Sequence, residues 1–234
     1  MEFYFDISNR LKLVADMVQG RVVADIGTDH GYVPLYLYHQ KRITKGYACD
    51  INQGSLQKAI DNVALLGAGD VIETRLGDGL TPMQAGEAET AILSGMGGML
   101  MLHIFEESPL VVERLEEMIL SPQRDVDKVR RYLHSVGFRI AEEEMLREDS
   151  KVYVVMRCVR GAEQYDKESH YLFGKCLLEK KHPILLEQLL HEKRKRERIL
   201  GALEDSGSQT AEQRKPEMER QLAQIKEALE CLQH

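Results

Sequence analysis

Four short segments carry carboxylates or polar groups, three of them with glycine, and each closes or follows a strand candidate. The first is Asp25-Ile26-Gly27-Thr28-Asp29-His30-Gly31, at the end of Val22–Ile26. A strand that runs through two glycines into a helix brings backbone N–H groups to the C-terminal edge of a sheet, where open α/β folds bind ligands. The dinucleotide fingerprint needs a glycine where Asp29 stands, and a carboxylate there would repel a pyrophosphate. With Asp25 also anionic, the turn suits a ligand with a positive end, such as the ammonium and sulfonium of S-adenosylmethionine. An ordinary strand–helix turn with capping acids would look the same. The second segment is Cys49-Asp50-Ile51, with Asp50 placed 23 residues after Gly27. Ribose-binding carboxylates fall about 20 residues after such a turn, and Ile51 would cover one face of an adenine. Capping of the next helix is the competing role for Asp50. The third is Gly77-Asp78-Gly79, able to accept from an exocyclic amine or to be a plain turn. The fourth is Ser94-Gly95-Met96-Gly97-Gly98, whose bare backbone could admit a flat substrate or simply make a tight turn.

These segments need a scaffold, and the spacing of apolar residues supplies one. Strands are expected at Val22–Ile26, Gly46–Ile51, Val71–Leu76, Ala91–Ser94 and Met118–Ser121, with helices at Asn9–Gln19, Val33–His39, Ser55–Leu66, Gly98–Phe105 and Val126–Val136. Ser8 is a suitable N-cap for the first helix, and Gly20 a stop. Short, fully apolar runs alternating with helices indicate a doubly wound, mostly parallel α/β sheet. Phe138–Arg147 and Val152–Val159 are separated by four residues, too few for a parallel crossover, so they form an antiparallel hairpin.

After Gly161 no strand-like run remains. From Glu163 onward there are 13 Lys and Arg against 14 Asp and Glu, the balance of a solvated helical segment. Met218, Leu222, Ile225, Leu229 and Leu232 form a coiled-coil seam. Leu185, Leu189, Ile199 and Leu203 face it across a turn at Asp205–Ser208, with Pro183 opening the first helix. The expected domains are 1–161 and 162–234. Two basic clusters, Arg124, Lys128 and Arg131 on one helix face with Arg130 beside them, and Lys193-Arg194-Lys195-Arg196 with Arg198, could bind phosphates or be solvated helix faces.

The chain has 234 residues, 43% hydrophobic and 29% charged, with a net charge of −7. That composition excludes collagenous and disordered classes and argues against a nonspecific coat for nucleic acid. No run approaches a membrane span, and Met1–Asp6 carries no secretory pattern. The scattered Cys49, Cys158, Cys176 and Cys231 read as reduced thiols, so a cytoplasmic location is expected and no metal site. There is no nucleophile elbow, P-loop or zinc-protease motif.

Taken together, Arg10-Leu11, the run Ala24–Leu37, Asp50-Ile51-Asn52, Asn62, Gly77-Asp78-Gly79-Leu80, Gly95-Met96-Gly97-Gly98, Leu120-Ser121-Pro122-Gln123 and Glu148-Asp149 resemble the bacterial tRNA (adenine-N1) methyltransferases that act on the adenine at tRNA position 22. The match runs from about Ser8 to Cys158. The resemblance implies a class I, Rossmann-like methyltransferase sheet whose last strand is antiparallel, S-adenosyl-L-methionine as cofactor, and tRNA as partner. It places Asp25, Gly27, His30, Gly31, Asp50, Ile51, Asp78, Gly79 and Ser94 around the cofactor and Asp29, Gly95, Met96 and Gly97 at the reaction. Arg10, Tyr32, Arg124, Lys193, Arg194 and Arg196 would contact tRNA. A nicotinamide-dependent oxidoreductase, and a tRNA-binding module that has lost its chemistry, are the rival readings. The oligomeric state stays open.

Overall fold

A computed structural model describes residues 7–206 and 209–233. Met1–Asp6, Gly207, Ser208 and His234 lie outside the described residues, and with them half of the turn expected at Asp205–Ser208. Contacts divide the chain into two units, 1–163 and 164–234.

In the first unit, β1 (Val22–Ile26), β2 (Lys45–Asp50), β3 (Ile72–Leu76), β4 (Thr90–Ser94) and β5 (Glu117–Ser121) run parallel. The hairpin of β6 (Phe138–Glu148) and β7 (Lys151–Arg160) inserts β7 antiparallel against β5. The seven-stranded order is β3-β2-β1-β4-β5-β7-β6. Chain winding reverses between β1 and β4, so their outgoing loops diverge and leave a crevice. Two residues, Asp149 and Ser150, link β6 to β7 with φ of 47° and 62°, the left-handed pair that suits the strand twist of a tight hairpin.

Alternation along the strands makes two apolar faces. Val23, Ile92, Ile119 and Val155 pack in one core with Val14, Ala15 and Val18 around α1 (Asn9–Met17) and Leu35 and Leu37 around α2 (Tyr32–His39), which α3 (Gln53–Leu65) extends through Val63. The other face carries Ala24, Ile26, Ala91, Leu93, Met118 and Leu120, all buried. The remaining helices are α4 (Gly98–Glu107), α5 (Pro109–Arg114) and α6 (Val126–Ser135). Burying Val129 and Leu133 on α6 contributes about 1.5–3 kcal/mol each.

Two local expectations are corrected, and one helix is added. Helix α1 ends at Met17, two residues early, because the Gln19 and Gly20 N–H groups donate to the Glu117 carboxylate at 3.0 and 3.2 Å. Helix α5 was not anticipated from its six residues. Arg130 is no part of a basic surface: it is 1% exposed and its Nε and Nη2 reach Glu143 Oε1 at 2.8 and 2.7 Å.

The second unit is helical: α7 (Glu168–Phe173), α8 (Lys175–Glu179), α9 (Pro183–Ser206) and α10 (Gln209–Gln233). Lys215 pairs with Glu204 at 3.2 Å and Arg196 with Gln221 at 3.2 Å, so α9 and α10 are antiparallel. Leu222, Ile225, Leu229 and Leu232 are buried, as are Leu185 and Leu189, so the apolar seam is the inner face of this hairpin. Asp205 and Ser206 belong to α9 instead of to a turn.

Removing one partner of a buried ion pair leaves a desolvated charge, at a cost of about 3–5 kcal/mol. Arg130→Ala should therefore lower the unfolding free energy by that amount in urea titrations. A loss below about 1 kcal/mol would mean that the pair adds nothing.

Candidate functional site

Asp25 lies on the face of β1 that meets the α1 core, 6% exposed, and accepts a hydrogen bond from Thr28 Oγ1 at 2.5 Å. Burial pushes its carboxyl up to about 6, against the Thr28 hydrogen bond and the Arg10 charge and with the help of Asp50 and Asp29. The turn that follows does not offer its first N–H groups to a ligand. Gly27 and Thr28 both donate to the Cys49 carbonyl at 2.9 Å, which counts further against a pyrophosphate cradle. Gly27 has φ of 73°, and a Cβ there would lie 2.9 Å from Met96 Cε, so the loops after β1 and β4 meet at this point.

Asp50 is not the cap of α3. Asn52 is, accepting from Gly54 N at 2.8 Å and Ser55 N at 3.2 Å, while Asp50 Oδ1 accepts from Asn52 N at 2.6 Å. Next to it Ile51 is 65% exposed, a large apolar side chain standing open at the strand's end. Cys49, by contrast, is fully buried with Sγ 3.8 Å from Met83 Sδ, and burial pushes its thiol up to about 12. Asp78 is exposed, and its carbonyl accepts from Thr81 N and Oγ1 at 3.0 and 2.7 Å.

The Gly95–Gly98 loop is clamped to the loop after β5. Gly95 N donates to Ser121 O at 3.2 Å, Gln123 N to Met96 O at 2.9 Å, and Gly98 N to Arg124 O at 2.9 Å. Gly98 is structural, since a Cβ would sit 2.7 Å from Arg124 O and 2.8 Å from Asp125 O. Gly97, with φ of −73°, has no such requirement: its Cβ would meet only the Arg124 side chain, from 3.1 Å. From α1, Arg10 donates to Ser94 Oγ at 2.6 Å and lies 5.4 Å from the centre of the Tyr153 ring.

The chain matches the family model described as a methyltransferase domain over residues 7–156. It is 32% identical over 196 residues to the tRNA (adenine(22)-N(1))-methyltransferase of Bacillus subtilis (strain 168), covering 80% of this chain and 81% of that one. The chain belongs to this methyltransferase family. Among solved structures it is similar to Streptococcus pneumoniae Sp1610 in complex with S-adenosyl-L-methionine, at 30% identity and TM-score 0.84 over 96% of this chain and all of that one. The B. subtilis tRNA methyltransferase structure gives 27% identity and TM-score 0.87, over 96% and 99% of the two chains.

Against that family frame, the structure gathers Asp25, Gly27, Asp50, Ile51, Ser94, Gly95, Met96, Gly97, Arg10 and Arg124 around the crevice, with Asp78 and Gly79 on the loop after β3. Asp29, His30 and Tyr32 form a group at the start of α2, with Asp29 exposed and its charge felt by Asp25. The His30 ring stacks on Tyr32 with centroids 5.0 Å apart, and its Nε2 lies 3.1 Å from Asp29 and 3.2 Å from Lys58. Gly31, with φ of 70°, packs against Ala59 of α3, where a Cβ would stand 3.4 Å from its methyl. Lys193, Arg194 and Arg196 belong to the second unit. There Arg196 pairs with Glu192, and Lys193 with Glu197 at 3.9 Å, leaving Arg194 and Arg198 as exposed charges. Tyr153, which reaches Arg10, gave no local signal: only the β5–β7 register brings it to this edge. Among the described residues, no group of His, Cys, Asp and Glu could hold a metal ion, and no helix is long and apolar enough to cross a membrane.

An acid whose pKa rises on folding binds extra protons in the folded state, so its contribution to stability is fullest at low pH and falls as pH rises. For Asp25 the window lies between the ordinary value of 3.8 and about 6. Asp25→Asn should gain stability on the wild type as pH rises through that window, by up to about 3 kcal/mol, in urea titrations at several pH values. Parallel pH courses in the two proteins would show that Asp25 titrates normally.

Proposed function

We propose that this chain transfers the methyl group of S-adenosyl-L-methionine to N1 of the adenine at position 22 of tRNA. The observation that carries this reading is an acid-lined crevice with its turn N–H groups already engaged, in a chain 32% identical to an enzyme of that activity. Asp25 fits the cofactor: a buried carboxyl whose pKa is raised by desolvation favours a cation beside it, and the cofactor's amino acid end carries an ammonium. Asp50 would accept from the ribose hydroxyls, Ile51 would cover one adenine face, and Asp78 would accept from the exocyclic amine.

When bound, the cofactor supplies an electrophilic methyl on a sulfonium. Adenine N1 carries an in-plane lone pair at neutral pH and needs no general base to attack it. The protein's work is therefore alignment, an effect worth up to about 7–11 kcal/mol. Arg10, Ser94 and the clamped Gly95–Gly97 backbone form the wall that orients the base. Methylated adenine is cationic, and the acidic edge, Asp29 included, offsets that charge. Because N1 is engaged in a paired base, the nucleotide leaves its stack to react. The action on tRNA implies a cytoplasmic setting. Phosphate contacts supply most of the affinity for so large a partner, with Arg124 serving the first unit and Arg194 and Arg198 the second.

The decisive assay is tritium transfer from labelled cofactor into bulk tRNA, with the modified base located by arrest of primer extension. Label absent, or on another nucleotide, would overturn this function.

Two variants test the assignments. Asp50→Ala should weaken cofactor binding about ten- to a hundredfold by calorimetry, as charge-assisted hydrogen bonds contribute about 1.5–3 kcal/mol each. An unchanged dissociation constant would remove Asp50 from the site. The double change Arg194→Gln with Arg198→Gln should leave cofactor affinity intact. It should also weaken tRNA binding and flatten its dependence on log salt by roughly 0.7–0.9 per lost contact. An unaltered slope would assign α9 a structural role alone.

A further inference from the structure

Beyond the C-terminal ends of β4 and β5 lies a cavity of about 360 Å³ lined by Gln123, Lys151, Val152 and Tyr153. None of these residues belongs to the loops placed around the cofactor. The β5–β7 register explains how they meet. Glu117 stands opposite Val159 and Leu120 opposite Met156, so three residues farther on Gln123 comes opposite Tyr153, just past the last pair. Because β7 is antiparallel, its first residues stand at the edge where the parallel strands end. Two contacts tie the cavity to the reaction loop. Gln123 N donates to Met96 O at 2.9 Å, and the Arg10 guanidinium bridges from Ser94 Oγ, at 2.6 Å, to the Tyr153 ring.

A cavity of this size falls within the range of small-ligand sites, about 300–1,000 Å³. An unstacked base needs a flat partner for its face and a planar donor–acceptor pair for one edge. Tyr153 offers the first, and the Gln123 carboxamide, exposed beside it, offers the second. The edge it can read is fixed by the chemistry. N1 must keep its lone pair for the methyl group, so a group bonded to N1 would block the reaction. The other edge presents N7 as acceptor and the N6 amine as donor, which one carboxamide pairs with simultaneously. Lys151, exposed at the rim, adds positive charge for the nucleotide's phosphate.

We propose that this cavity is the subsite for the target adenine, with Tyr153 stacking on its face and Gln123 determining specificity through N6 and N7 while N1 stays free. The inference rests on the methyl-transfer reading above. The test pairs tRNA carrying adenine or 7-deazaadenine at position 22 with wild type and Gln123→Ala. Removing N7 should lower wild-type kcat/KM about tenfold, the order expected for a bidentate contact. Gln123→Ala should lose as much on adenine, lose little more on 7-deazaadenine, and bind cofactor as the wild type does. Tyr153→Phe should stay active, and Tyr153→Ala should raise KM for tRNA. The wild-type comparison needs no variant to fold. Methylation of both substrates at one rate by the wild type, or an equal 7-deaza penalty in Gln123→Ala, would overturn the subsite and leave the function standing. Failure of the wild type to methylate adenine 22 at all would overturn both.

Discussion

The carboxylate of Glu117 holds groups from three neighbouring elements at the N-terminal edge of the sheet. Its Oε2 accepts from Gln19 N, Gly20 N and Thr90 Oγ1, and its Oε1 accepts from Arg157 Nε at 2.7 Å. Bonds to an ionised acceptor are roughly twice as strong as neutral ones, and this one terminates a helix. At about 1.5 Å per residue, α1 is roughly 13 Å long, close to the roughly 16 Å span of a five-residue strand. Anchoring its last turn at the lower edge of the sheet therefore delivers its first turn to the upper edge. There Ser8 caps it, Glu148 accepts from Asn9 N at 2.8 Å, and Arg10 reaches Ser94. A polar knot far from the crevice thus sets the position of a cation inside it.

Most of the parallel strands were legible because they are short apolar runs ending in a glycine- or acid-containing turn, a signal carried by consecutive residues. Glu117 fell outside that signal. A charged residue at a strand's first position reads as loop, and β5 was expected to start at Met118. The end of α1 was missed for the same reason: Val18 continues the apolar stripe, and what stops the helix is a carboxylate 98 residues away. Arg130 shows the converse. Its neighbours are basic, so a surface patch was the local reading, and the acid that takes it into the core lies on β6.

Within the crevice, the loops after β1, β2 and β4 were legible as chemistry, but not how their atoms are already committed. Nothing local reveals that Cys49 O captures two turn N–H groups or that Arg124 O captures Gly98 N. Gln123 and Tyr153 are 30 residues apart in sequence, and only strand register makes them neighbours. The acids that moderate the α9 cluster, Glu192 and Glu197, did stand at helical spacing in the sequence. There the pattern carried the pairing, and the unpaired Arg194 and Arg198 are what it left over.

The burial of Cys49 bears on chemical self-restraint. A thiolate is a far better acceptor of an alkyl group than a ring nitrogen, and this sulfur precedes Asp50 directly at the end of β2. Burial pushes its pKa up to about 12, which keeps it in the thiol form at neutral pH. The sulfur also faces Met83, not the crevice. A methyl donor bound at this edge would meet a Cys49 sulfur that is buried and protonated.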